Sequence, residues 1–328
     1  MSNHGGKRVG SGRKQLPNKL KRNTPKSFFL TQSEFNYVQE TIKKLRKELN
    51  LKSDIEVFLY MINYFNERSK NMKIISMMNP KGGAGKTVSA VNIAYALANR
   101  EYKVLLIDSD PRGAIQLYLD IKNENTLFEL IKESYENVII PDVKKYINKK
   151  NGVDIIISNA TLTKVDDYYK ENASLDEELD CIENLIYLFE DYDYVIFDTE
   201  GTINNLTKAV LRVTDYIFAP TKASYIDMNG IRDLIQITEI YKQENPKLQI
   251  KKIFLVQAKE NTKVFKKAKE ELSVYFKNNE FTDTHIREDQ NILNSMEHGL
   301  DIFSYKKSSK SSIDYKNLID EFLESEGC

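Results

Sequence analysis

The residues in this sequence best suited to chemistry are two neighbours, Lys86 and Thr87, and the aspartates 108, 110 and 198. Lys86 and Thr87 close the stretch Asn79-Pro80-Lys81-Gly82-Gly83-Ala84-Gly85-Lys86-Thr87, which follows the apolar run Ile74–Met78. Three glycines let a backbone turn tightly enough for consecutive N–H groups to converge on one anion. Val88 to Arg100 then has helical periodicity, so the loop opens a helix whose positive end faces the same point. In that setting the segment from Lys81 to Val88 cradles a nucleotide's phosphates. Lys86 reaches the β- and γ-phosphates, and the Thr87 hydroxyl is placed to ligate magnesium. Asp108 and Asp110 follow the apolar run Val104–Ile107, and Asp198 ends the run Tyr194–Phe197. A parallel sheet binds ligands beyond the carboxyl ends of its strands, so both runs are expected to deliver carboxylates there, Asp198 to the magnesium's outer shell.

Such a site needs a sheet flanked by helices, and 328 residues allow one large domain and a small one. Further apolar runs at Val153–Ile157, Tyr216–Ala219 and Lys252–Ala258 supply candidate strands, and a long helix is expected through Tyr241. Between Asp166 and Asp193 an acidic stretch carries an amphipathic pattern that reads as the solvated face of a packed helix. Lys plus Arg and Asp plus Glu each number 48, yet residues 1–71 hold 15 basic against 6 acidic side chains, which points to a polyanionic partner for that end. Cys181 and Cys328 make neither a disulfide framework nor a four-thiolate site, which fits a reducing cytosol, and no apolar run is long enough to span a membrane.

Residues 1–24 are basic, rich in small and polar residues, and are expected to be a disordered tail. Residues 25–71 hold a β-prone run, Ser27–Thr31, then an apolar stripe of Phe35, Val38, Ile42, Leu45 and Leu49 on a helix from about Ser33 to Asn50. Ser53 caps a second helix lined by Ile55, Phe58, Leu59, Ile62 and Phe65. So short a unit cannot bury both stripes alone and must pair, most simply with its own copy. The arrangement resembles a ribbon-helix-helix domain, which implies a strand ribbon in the DNA major groove; a plain dimerisation hairpin fits the same pattern. Phe29 on the groove side departs from the polar side chains that base reading needs.

Lys81, five residues before Lys86, makes the loop more specific. The pattern Lys-Gly-Gly-x-Gly-Lys-Thr resembles the deviant Walker A motif of the ParA/MinD family of ATPases, and the resemblance extends over residues 73–322. It implies an α/β fold, a P-loop ATPase with a mostly parallel sheet flanked by helices, in residues 72–328. It also implies ATP and Mg2+ as ligands and an ATP-bound sandwich dimer in which Lys81 reaches the partner's phosphates. Asp108-Ser109-Asp110-Pro111-Arg112 matches the family's Asp-x-Asp-Pro-Gln, so Asp108 is implied beside the magnesium with Thr87 and Asp198, and Asp110 orients or deprotonates the attacking water. Arg112 replaces the usual glutamine. Thr199-Glu200-Gly201 departs from Thr-Pro-Pro or Thr-Ala-Pro, and Arg287 stands for the usual proline of the last strand, near the adenine.

The acidic final helix does not fit the membrane-bound branch, the cysteines do not fit the iron-protein branch, and a tyrosine-rich tail is missing. The DNA-partitioning branch remains. It implies a homodimer bound non-specifically to DNA, a centromere-binding ParB-like partner, no membrane, and a cytoplasmic, nucleoid-associated bacterial setting. Lys263, Lys266, Lys267, Lys269, Lys306, Lys307 and Lys310 are candidate phosphate contacts. Two alternatives stay open: an ATP-gated, sequence-specific transcriptional regulator, and an ATPase that positions another cargo.

Overall fold

The computed structural model describes residues 32–60, 72–136, 141–172, 179–276 and 280–327. The chain divides into two units, Met1–Phe58 and Leu59–Cys328. In the first, helix α1 spans Gln32–Glu48, close to the expected bounds. Ile42 is its buried residue, with Val38, Leu45 and Leu49 half-buried along the same stripe. Asn50 takes a left-handed turn, and residues 54–60 are helical again. The Ser53 hydroxyl accepts the Glu56 N–H at 3.2 Å as the expected cap, and Arg46 ties the turn to Asp54 at 3.1 Å. Val57 is buried whereas Ile55 and Phe58 are 71% and 51% exposed, so part of the second apolar stripe stays uncovered within this unit. The basic tail, the run Ser27–Thr31, and Ile62 and Phe65 lie outside the described residues.

The second unit is built on a seven-stranded sheet in the order β3-β4-β2-β5-β1-β6-β7. Its strands are β1 Lys73–Met77, β2 Val104–Ser109, β3 Asn148–Lys150, β4 Val153–Ile156, β5 Tyr194–Thr199, β6 Tyr216–Lys222 and β7 Gln249–Val256. All pairs are parallel except β3–β4. The apolar runs are continuous rather than alternating because helices cover both faces. Ile75, Met77, Val104, Leu106 and Ile196 pack on one face with the helix α2, Lys86–Ala98, and the C-terminal helix Lys310–Glu326. Ile74, Leu105, Ile107, Val195 and Phe197 pack on the other with helices that include Leu127–Glu136 and Asn205–Val213. Period two along each strand makes that division.

After β1 the chain crosses to β2 and β4 on one side, and after β5 it moves to β6 and β7 on the other. The crevice outside the carboxyl ends at this reversal is where open α/β sheets place ligands. Two expectations need correction. The run His285–Glu288, read as a closing strand, makes only one isolated bridge, Ala258 with Arg287. The acidic stretch is not one helix: Val165–Asn172 is helical, and Glu183–Phe189 is a separate short turn of helix that buries Leu185 and Phe189.

Candidate functional site

The glycine loop joins β1 to α2 as expected. Gly83 and Gly85 have φ of 71° and 88°, where a side chain is strained, and a Cβ on Gly85 would lie 3.3 Å from Val256. Gly82 and Gly83 are exposed while Ala84 is buried, so the loop is anchored on one side and open on the other. Asn79 does much of the anchoring. Its Nδ2 donates to the Pro220 carbonyl at 2.8 Å and its Oδ1 accepts the Lys81 N–H at 2.9 Å. Lys86 is buried, and its Nζ donates to the carbonyls of Asn79 (3.1 Å) and Lys81 (3.3 Å), bridging both ends of the loop. Burial lowers its pKa, opposed by the charge of Asp198. Val88, on the first turn of α2, faces a neighbouring cavity of about 570 Å3, lined also by Ser89, Val256, Gln257, Arg287 and Tyr315. That volume falls in the range of small-molecule sites.

The three aspartates meet beside the loop. Parallel pairing puts Asp198 of β5 in register with both Asp108 of β2 and Met77 of β1. The Thr199 hydroxyl donates to the Met77 carbonyl at 2.7 Å and Ser109 to the Asp198 carbonyl at 2.7 Å, which locks the strand ends together. Both carboxylate oxygens of Asp198 are buried without a hydrogen bond. Burial and then the charge of Asp108 push its pKa well up, although the nearby Thr87 hydroxyl opposes the shift. Asp108 is pushed up to about 7 by burial, against the N–H groups of Asp110 and Ile115, which its two oxygens accept at 3.0 Å each. Asp108 thus also organises the loop that carries Asp110. Asp110 keeps a lowered pKa: burial would raise it, but the Arg112 guanidinium and N–H outweigh that.

Among the described residues no group of three or more His, Cys, Asp or Glu could hold a metal by itself. Magnesium does not require one, since it keeps several waters and binds through substrate phosphates with one or two protein oxygens. The orphaned oxygens of Asp198 beside the Thr87 hydroxyl fit such a hydrated ion.

Two neighbours of the loop were not legible beforehand. A Cβ on Gly230, in the helix Tyr225–Tyr241, would lie 2.8 Å from Lys81 Cγ, so the Lys81 stem rests where that glycine has no side chain. Lys222 ends β6, with its Nζ 4.0 Å from the Cβ position of Gly83, and adds a third lysine to the loop's surroundings. Arg287 does line the cavity, but its side chain is committed to Asp314, with Nη2 at 2.7 Å. His285 contacts Glu260 and His298 the Asn294 carbonyl, away from any ligand cluster. Lys263, Lys266, Lys267, Lys306, Lys307 and Lys310 are exposed, and Lys269 half-buried.

A family model described as an AAA domain matches residues 72–250, more than half of the chain. An uncharacterised protein of Mycobacterium tuberculosis is 30% identical over 56% of this chain, which spans only 58% of that relative's length. The chromosome-partitioning ATPase Soj of Treponema pallidum is 26% identical over 78% of this chain and 98% of its own. Among solved structures, cobyrinic acid a,c-diamide synthase of Mycobacterium smegmatis with bound ADP and magnesium matches with a TM-score of 0.61. It covers 77% of this chain and 94% of that one, and at 18% identity the likeness is one of fold. On the family match and the crevice it spans, the chain belongs to the AAA-domain family, among its ParA/MinD-like P-loop ATPases.

Proposed function

We propose that this chain binds and hydrolyses ATP with Mg2+, dimerises on ATP, and uses that cycle to segregate DNA with a ParB-like, centromere-binding partner. One observation carries the hydrolytic reading: Asp198 holds two buried, unpaired oxygens beside Thr87 at the mouth of the glycine loop. An unsatisfied buried acceptor costs about 1–3 kcal/mol, and the water shell of a cation removes that cost. The partition reading is supported by Soj, with which nearly the whole of that relative aligns.

In this reading the N–H groups from Gly82 to Val88 hold the phosphates, and Lys86 leaves its loop carbonyls to reach the β- and γ-phosphates. Magnesium bound with the nucleotide would supply charge neutralisation for the phosphates. Thr87 would ligate it, while Asp198 and the remaining lone pairs of Asp108 would hold its waters. Asp110 orients a water in line with the γ-phosphorus; as the water's oxygen bonds to that phosphorus, the bond to the β–γ bridging oxygen breaks, ADP leaves with that oxygen, and the water's proton ends on the released phosphate. The cavity beside Val88 takes the adenine, and Lys81 of each copy completes the site of the other.

The test is ATP turnover with and without non-specific DNA. A magnesium-dependent rate that DNA raises severalfold is expected; turnover indifferent to DNA, with one operator bound tightly by the full chain, would favour the ATP-gated regulator instead. An ATPase for another cargo would respond to that cargo and ignore centromere DNA with its partner. No helix among the described residues is long and apolar enough to cross a membrane. A nucleoid location follows from the proposed DNA binding.

The basic tail gives a separate expectation. Removing residues 1–24 should flatten the salt dependence of DNA binding, because each phosphate neutralised contributes about 0.9 to the slope of log affinity against log salt. An unchanged slope would take the tail out of the interface.

A further inference from the structure

The Asp110–Gly113 turn holds an unusual arrangement. The Gly113 N–H donates to the Asp110 carbonyl at 3.0 Å, which closes the turn, and Arg112 sits inside it. Asp110 Oδ1 accepts from the Arg112 backbone N–H at 2.9 Å and from its Nε at 3.0 Å. Oδ2 accepts from Nε at 3.1 Å and from Nη2 at 2.5 Å. An ionised carboxylate offers about four lone-pair sites, and here three N–H groups, all of Arg112, make four contacts with its two oxygens, the Nε–H being shared between them. Asp110 therefore has little acceptor capacity left for a water.

We infer that Arg112 is a positioning residue that latches Asp110 and keeps basal hydrolysis slow until its guanidinium moves aside. This rests on the hydrolytic reading above, in which Asp110 orients the attacking water. The two halves of the contact differ in exposure: the Asp110 side chain is 2% exposed, the Arg112 side chain 66%. Only the arginine can leave, and it can be drawn off from outside without unpacking the core. A second seat is at hand. After Asp110, the carboxylate whose charge most favours the Arg112 guanidinium is Glu200, which accepts a hydrogen bond from Asn204 at 2.8 Å. Gly201 beside it lies against Lys86, a Cβ there falling 3.5 Å from Lys86 Nζ. Two departures from the family pattern, Arg112 and Glu200, thus bring opposite charges to the same site. A partner that presents a carboxylate would serve as well as Glu200, so stimulation of turnover need not touch Asp110.

The backbone N–H contact is kept by glutamine or lysine at 112, which lets the side chain be tested alone. Steady-state phosphate release would be compared in the full chain, Arg112→Gln, Arg112→Lys and Asp110→Ala. Arg112→Gln is expected to raise unstimulated kcat about three- to tenfold, the range for losing a charge-assisted contact at an exposed arginine, with KM for ATP within about twofold. Arg112→Lys, which keeps the charge but not the fork, should fall between the two. A loss of folding would lower kcat in both variants and show in thermal melting; this split between kcat and KM would not arise from it. An Arg112→Gln rate at or below that of the parent, in a folded protein with Asp110→Ala inactive, overturns the latch and leaves the hydrolytic reading standing. Full activity in Asp110→Ala removes Asp110 as the group that orients the water, and the latch with it.

Discussion

Lys81→Ala is expected to abolish ATP-dependent dimers and to lower turnover about 1,000-fold while ATP binding stays within about threefold. The geometry separates the two properties. What the loop needs from residue 81 is its backbone: the N–H donates to Asn79 Oδ1 and the carbonyl accepts from Lys86 Nζ. Alanine keeps both. The side chain contributes nothing to the cradle; its stem lies against Gly230, and among the described residues its ammonium group makes no hydrogen bond or ion pair. A cation brought to a phosphoryl-transfer site by a second molecule is worth about 10^3 to 10^5 in rate, which sets the size of the expected loss. Light scattering with a slowly hydrolysed ATP analogue reads the dimer, and a fluorescent nucleotide reads binding. Dimers of normal affinity in the variant would remove the trans role of Lys81.

Lys81 also shows how far the sequence alone could be read. The loop, the strand before it and α2 after it were all apparent, because glycine spacing and apolar runs are local signals and a sheet covered on both faces leaves no alternation to confuse them. Strand β3 was not, since Asn148–Lys150 is polar and pairs only at the sheet's edge. The run at His285–Glu288 misled for a tertiary reason. The Ile286 N–H donates to the Leu255 carbonyl at 2.8 Å and the Glu288 N–H to the Ala258 carbonyl at 3.1 Å, but the pairing goes no further and leaves one bridge at Arg287, whose own N–H turns to the Asp314 carboxylate at 2.9 Å. In the site, the aspartates were found because each ends an apolar strand. Gly230 and Lys222 were missed because their nearness to the loop depends on β6 pairing beside β1, a contact between residues far apart in the chain. The second task of Asp108, holding the Asp110 loop by two N–H groups, is likewise invisible until the turn is folded.

That task bears on the second large effect. Asp110→Ala is expected to lower phosphate release about 100-fold, the usual scale for losing a group that positions or accepts a proton. ATP binding and ATP-dependent dimers should persist, because the phosphate cradle and the unpaired Asp198 carboxylate remain. The backbone around residue 110 is held independently of its side chain. The Asp110 N–H donates to Asp108, and its carbonyl accepts from Ser158 Oγ at 2.5 Å and from the Gly113 N–H. A collapse of the site is therefore not the expected cause of the lost rate. Substituting Asp108 instead should loosen this whole turn and weaken nucleotide binding together with turnover. Single-turnover phosphate release, with nucleotide affinity measured beside it, separates the two. If Asp110→Ala releases phosphate at the parent rate, water is positioned by another group; if it loses ATP affinity in step with Asp108→Ala, the carboxylate serves the turn rather than the reaction.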